Sequence, residues 1–116
     1  MLICLPLEGE KINSLLSVRF EEAKYFLLID NETKELEIVE NLASCDEAVY
    51  LATTKRPKVI ITGNLLPASF DFLKASGVKI ISGVFGQSGK EALENYKKGK
   101  LKPIETHQTT VKGKLL

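Results

Sequence analysis

The residues of this chain best suited by type to chemistry are Arg19, the turn Thr62-Gly63-Asn64, and the glycines of a later loop, Gly83, Gly86 and Gly89. Together they suit the gripping of an anion. A guanidinium stays protonated and offers several donors but no lone pair, so Arg19 can clamp a carboxylate or phosphate and cannot ligate a metal. Gly63 permits a close approach to the backbone, and a helix expected to start at Pro67 turns its first N–H groups toward an anion. Each residue also has a purely structural reading. Arg19 is placed to pair with Glu21 or Glu22 at the surface, and a glycine at 63 is often needed simply to turn a strand into a helix. The spacing of Gly83, Gly86 and Gly89 is neither the dinucleotide G-x-G-x-x-G nor a P-loop.

Other chemistries lack their residues. Cys45 lies near the start of an expected helix, where a thiol pKa falls, whereas Cys4 sits inside an apolar strand. Neither has a Cys or His at metal-ligand spacing, and the only histidine, His107, is near the end of the chain. No nucleophile, base and acid assemble from the sequence, and no carboxylates cluster at strand ends as a pair of Mg²⁺ ions requires. The expectation is a non-catalytic protein with no metal-ligand set.

The elements that must position these residues are written in the hydrophobic pattern. Leu2–Leu7 reads as a buried first strand, followed by a polar stretch, Glu8–Ser17, long enough for a mobile loop over the site. Tyr25–Ile29 is a second strand, and after the turn Asp30-Asn31-Glu32-Thr33 the alternation around Leu36 and Ile38 gives a half-exposed edge strand. Ser44 and Glu47 have capping-box spacing ahead of a helix that carries Ala48, Val49, Leu51 and Ala52 and ends before Pro57. Val59–Ile61 is short, wholly apolar and β-branched, as in a parallel strand covered on both faces. Pro67 then opens a helix burying Phe70 and Leu73, with Leu66 or Ala68 adding to that face, and Gly77 closes it before Val78, Ile80 and Ile81 restart a strand. A last helix begins at Ser88, which with Glu91 repeats the capping box, buries Ala92, Leu93 and Tyr96, and stops at Gly99.

The order βββαβαβα predicts an α/β fold: three layers around a mixed five-stranded sheet in the order 3-2-1-4-5, with strand 2 antiparallel and helices on both faces. The break in strand order falls between strands 1 and 4, which is where open sheets bind ligands. The expected walls are Glu8–Ser17, Arg19, Thr62–Leu65 and Gly83–Gly89. Residues 1–102 form one domain, and 103–116 read as a flexible tail with Val111, Leu115 and Leu116 as apolar anchors.

Composition narrows the partners. With 44% hydrophobic and 27% charged residues the chain can bury a core without staples, and two cysteines are too few for a disulfide framework, which favours a cytoplasmic compartment. The opening segment lacks a basic flank and is shorter than the roughly 20 apolar residues of a membrane span. The net charge of +1 conceals an asymmetry: four Lys and Arg against eleven Asp and Glu in residues 1–50, and twelve against four in 51–116. Most of this reads as complementarity within the molecule; its functional reading is a basic rim at the carboxyl ends of the later strands. Neither nucleic acid nor membrane is an expected partner.

From Met1 to about Leu101 the layout resembles the dinitrogenase iron-molybdenum cofactor biosynthesis family, of the NifX and NifB C-terminal type. The matching pieces are SVRFEEAKYFLLID at Ser17–Asp30, VIITGNLLPASFDFLKASGVKII from Val59, and GVFGQSGKEALENYKKGKL from Gly83. The resemblance implies a ribonuclease H-like fold and a small carrier or chaperone for iron-molybdenum or iron-sulfur clusters. It also implies a loop of pattern S-x-H-F-G-x-A, whose histidine is the natural ligand candidate. Here Arg19 replaces that histidine and Glu21 the glycine. The leading expectation is a carrier relative without the histidine ligand, using Arg19, Thr62, Gly63, Asn64, Gly83 and Gly86; the rival is a binding module for a small anionic metabolite or a protein partner.

Overall fold

Strand β1 (Leu2–Leu7) is covered on both faces and paired along both edges. In the computed structural model, which describes residues 1–104, it is the middle strand of a five-stranded sheet of order β3-β2-β1-β4-β5. β2 (Tyr25–Asp30) runs antiparallel to β1, with Ile3 opposite Ile29 and Leu5 opposite Leu27, and β3 (Leu36–Glu40) runs antiparallel to β2 at the half-exposed edge. On the other side β4 (Val59–Ile61) is parallel to β1 and β5 (Lys79–Ile81) parallel to β4. Strand order and directions are those read from the sequence.

Alternation along the strands divides the core in two. Cys4, Phe26, Leu28, Ile60 and Ile80 face α1 (Ala48–Thr53) and α2 (Pro67–Ala75), which contribute Val49, Ala52, Phe70 and Leu73. Ile3, Leu5, Leu7, Leu27, Val59 and Ile61 face the opposite way, under Ala92 and Leu93 of α3 (Gly89–Lys97) and under Leu16. On α2 the flanking contribution comes from Leu65 and Ser69; Leu66 and the Ala68 position are exposed, so the expected side of the first turn is corrected by one residue.

The helix ends follow their local chemistry unevenly. Gly77, at φ +82°, donates to the Lys74 carbonyl while Val78 donates to that of Leu73, both at 3.0 Å, which is the Schellman arrangement. At α3 the Ser88 hydroxyl accepts from the Glu91 N–H at 3.1 Å and the Glu91 carboxylate from the Ser88 N–H at 3.0 Å. The same spacing at Ser44 makes no such box. Its hydroxyl meets the Glu47 carboxylate at 3.3 Å, and its carbonyl accepts from the N–H groups of Glu47 and Ala48. A turn over these residues uses up the motif, and the helix starts later, at Ala48, with no side-chain cap. At the other end Ile104 donates to the Ile80 carbonyl at 2.8 Å and packs on the core, so the body reaches Ile104, beyond the expected boundary at 102. The expectations for the tail fall on 105–116, outside the described residues.

Two outcomes test this packing by chemical denaturation. Ile60→Ala, at a wholly buried site, is expected to cost about 2–5 kcal/mol, and Lys90→Ala, on the surface, less than about 0.5 kcal/mol. Ser88→Ala is expected to cost about 1 kcal/mol and Ser44→Ala only a fraction of that, since only Ser88 satisfies a helical N–H. Equal losses for the two serines would contradict the late start of α1.

Candidate functional site

The connection from β1 to β2 crosses the carboxyl ends of β1 and β4, the point where the strand order breaks. Glu8–Ser17, expected as a mobile loop, is fastened instead. Glu8 N–H donates to the Leu15 carbonyl, Leu16 to Gln87 and Ser17 to Pro6, each at 2.9 Å. The buried Ser17 hydroxyl also donates to the Glu8 carboxylate at 2.6 Å.

Phe20 anchors the rest of the connection. Its ring is wholly buried with its centroid 5.3 Å from that of Phe26, and its N–H donates to the Asn64 carbonyl at 2.8 Å while Asn64 N–H donates to the Val18 carbonyl at 2.6 Å. Arg19 and Asn64 are thereby aligned in a short parallel bridge. Gly63 lies under this crossing: a Cβ there would overlap the Val18 carbonyl oxygen and sit 2.8 Å from that of Ser17. The close approach that the glycine permits is thus made by the chain's own backbone. Gly83 N–H donates to the Gly63 carbonyl at 2.9 Å and Val84 N–H to that of Thr62 at 3.1 Å, which draws the second loop to the same edge. Arg19, Thr62, Gly63, Asn64 and Gly83 therefore meet; Gly86, at φ +71°, is exposed further along its loop. Thr62 is fully buried, and its hydroxyl has no hydrogen-bond partner among the described residues.

The Arg19 guanidinium is two-thirds exposed and lies 3.4 Å from the Glu22 carboxylate, the surface pair that the sequence allowed. It also lines an open cleft of about 230 Å³ with Glu21, Asn64, Leu65, Leu66 and Pro67. Sequence reasoning missed the role of Glu21. This side chain is only 5% exposed, and its carboxylate accepts from the N–H of Leu66, the N-cap residue of α2, at 2.8 Å. A helix start favours negative charge, and here the chain supplies one itself. The two residues are 45 apart, so no local spacing announces the contact.

Donors for a metal are scarce. Burial pushes the Cys4 thiol up to about 12 and keeps it protonated inside the sheet. Cys45 is exposed beside a small cleft lined also by Leu66, Ser69 and Phe72. Among the described residues no three His, Cys, Asp or Glu side chains are grouped to hold a metal ion. A cluster ligated by the crevice does not fit these residues.

The expected basic rim is also elsewhere. Because α2 and α3 run from the carboxyl to the amino ends of the parallel strands, Lys74, Lys97, Lys98 and Lys102 fall at the end away from the crevice, with Lys58 before β4 and Lys79 opening β5. Around the crevice stand Glu21, Glu22, Glu40, Asp46 and Glu47, together with Arg19, Lys24 and Lys90.

The family model for the dinitrogenase iron-molybdenum cofactor matches residues 1–99. No curated protein matches the sequence significantly. Among solved structures, the apo form of the orange protein from Desulfovibrio gigas is similar, with a TM-score of 0.85, 25% identity and coverage of 93% of this chain and 96% of that one. A candidate NifB protein from Thermotoga superposes with a TM-score of 0.80 at 28% identity, covering 97% and 98%. A candidate dinitrogenase from Methanocaldococcus jannaschii shares the fold, with a TM-score of 0.71 at 20% identity over 91% and 96%. On the extent of the family match, this chain belongs to the dinitrogenase iron-molybdenum cofactor family.

Proposed function

We propose that this protein is a non-catalytic, cytoplasmic carrier whose cargo, an anionic metal-sulfur cluster, is held at the crevice by charge and hydrogen bonds and not by a histidine ligand. The observation that carries this reading is the position of Arg19: its backbone is locked to Asn64 while its guanidinium stands exposed at the mouth of the cleft. A guanidinium donates to sulfide or oxyanion edges and forms no metal bond. Asn64 forms part of the same wall, backed by Thr62, Gly63 and Gly83, with Gly86 further along the second loop. Cys45 can at most tether a cluster at a single point. The family, and the orange protein whose apo form the fold resembles, support a cofactor-related role. Among the described residues no helix is long and apolar enough to cross a membrane.

Binding on these terms has an internal competitor. Glu21 already neutralises the start of α2, and Glu22 already engages Arg19. An anionic cargo must draw Arg19 away from Glu22 and tolerate Glu21 beside it, so retention is expected to be loose and exchange fast. A second reading, a surface for a protein partner, is favoured by one observation: Val18 and Leu66 are about half exposed beside this cleft.

Anaerobic reconstitution with iron and sulfide, followed by absorption spectroscopy and metal analysis of the repurified protein, tests the proposal. The parent is expected to take up colour and metal. Arg19→Ala is expected to retain about tenfold to a hundredfold less, the equivalent of a charge-assisted hydrogen bond, and Glu21→Gln to retain more than the parent. A colourless, metal-free parent and Glu21→Gln would overturn the cluster reading and leave the partner surface.

A further inference from the structure

At the end of the sheet away from the crevice lies a larger groove, of about 890 Å³, whose lining includes Met1, Asn31, Lys79, Tyr96, Lys97 and Lys102. Its cations come from separate elements: Lys79 opens β5, Lys97 closes α3, and Lys102 follows the end of that helix. The amino group of Met1 adds a fourth. Lys34, in the β2–β3 turn at φ +67°, donates to the Asn31 carbonyl at 2.7 Å, which brings its ammonium beside Lys97. The neighbouring ammonium, with slight desolvation, holds Lys97 below its ordinary pKa against the opposing pull of Glu94.

The amino group of Met1 is already paired, but the lysines of the groove are not internally neutralised. The carboxylates nearest the amino terminus are Asp30 and Glu32, each 3.8 Å from it, and Asp30 is already engaged by the N–H groups of Glu32 and Thr33 at 2.8 and 3.1 Å. Among the described residues Lys34, Lys79, Lys97 and Lys102 have no ion-pair partner. Complementing a helix dipole accounts for Lys97 alone, since Lys34 is in a turn and Lys79 begins a strand.

We infer that this groove is a second binding site, independent of the crevice, for a ligand carrying more than one phosphate group. Ammonium groups recognise phosphate as point charges, and cations distributed along a groove of this volume suit a chain of phosphates better than a single orthophosphate. The Lys34–Lys97 pair is the natural seat for one phosphate, because a shared anion relieves their mutual repulsion. Pyrophosphate supplies this chemistry alone, and a nucleoside triphosphate adds a base to lie against Tyr96.

Amide-shift titrations of the full chain with pyrophosphate, ATP and orthophosphate, at low and high salt, test the site. Pyrophosphate and ATP are expected to saturate shifts at Asn31, Lys34, Lys79 and Tyr96–Lys102, more tightly than orthophosphate and less so at high salt. Equal affinity for both would assign recognition to the phosphates, and tighter ATP binding with shifts at Tyr96 would add the base. The double substitution Lys79→Ala and Lys97→Ala is expected to weaken binding about tenfold or more, and Arg19→Ala to leave it unchanged. These lysines are exposed, so the variant is expected to fold and to keep its spectrum unchanged away from the groove. Absence of saturable shifts, unchanged binding by the double variant, or shifts spread equally over Lys24 and Lys90 would overturn the inference.

Discussion

The structure depends on the asymmetric pairing of β1, which has an antiparallel neighbour on one edge and a parallel neighbour on the other. The antiparallel side needs only a return of the chain, whereas the parallel side needs a crossover that carries a helix. The return from β1 to β2 is therefore free to spread over the carboxyl ends of β1 and β4. It does so as a fastened strap, pinned through Leu15, Leu16 and Ser17 and then through Phe20. The crevice, the position of Arg19 and the need for glycine at 63 all result from that strap lying on the strand end.

Strand order, strand directions and the facing of the helices were legible because they rest on apolar periodicity and on local end signals, as at Ser88 and Gly77. What was not legible depends on contacts between distant segments. Ser44 has the right spacing, but the turn over Cys45–Glu47 consumes its hydrogen bonds, and spacing alone does not reveal that competition. The polar stretch after β1 looks mobile by composition, yet its backbone groups find partners in Pro6 and Gln87. Arg19, Thr62, Gly63, Asn64 and Gly83 were singled out by type, and it is the topology that brings them together, without Gly86. Glu21 escaped because its partner is the N–H of Leu66, which shows in no sequence pattern.

Glu21 and Arg19 set the character of the crevice together. A cation that cannot ligate a metal stands beside a buried carboxylate that caps α2. The cap stabilises the fold locally and removes from the site the positive end of a helix, the feature that would most favour an anion. Attraction at the crevice is left to Arg19 and to hydrogen-bond donors of the walls.

Topology also explains why lysines gather at the end of the molecule away from the crevice. Among the described residues each α-helix comes after a strand end on the crevice side and returns toward the amino ends of the parallel strands, so α1, α2 and α3 point their N-termini toward the crevice. Carboxylates such as Glu47 and Glu91 complement those starts, and Lys74 and Lys97 complement the ends of α2 and α3. Once helix ends of one polarity are gathered on one side, the field they favour is reinforced by residues outside the helices, including Lys34, Lys58, Lys79 and Lys102. Asp30, Glu32 and Glu35 stand at that same end, so what the topology gathers there is a set of lysines near the helix C-termini and not a face of one sign.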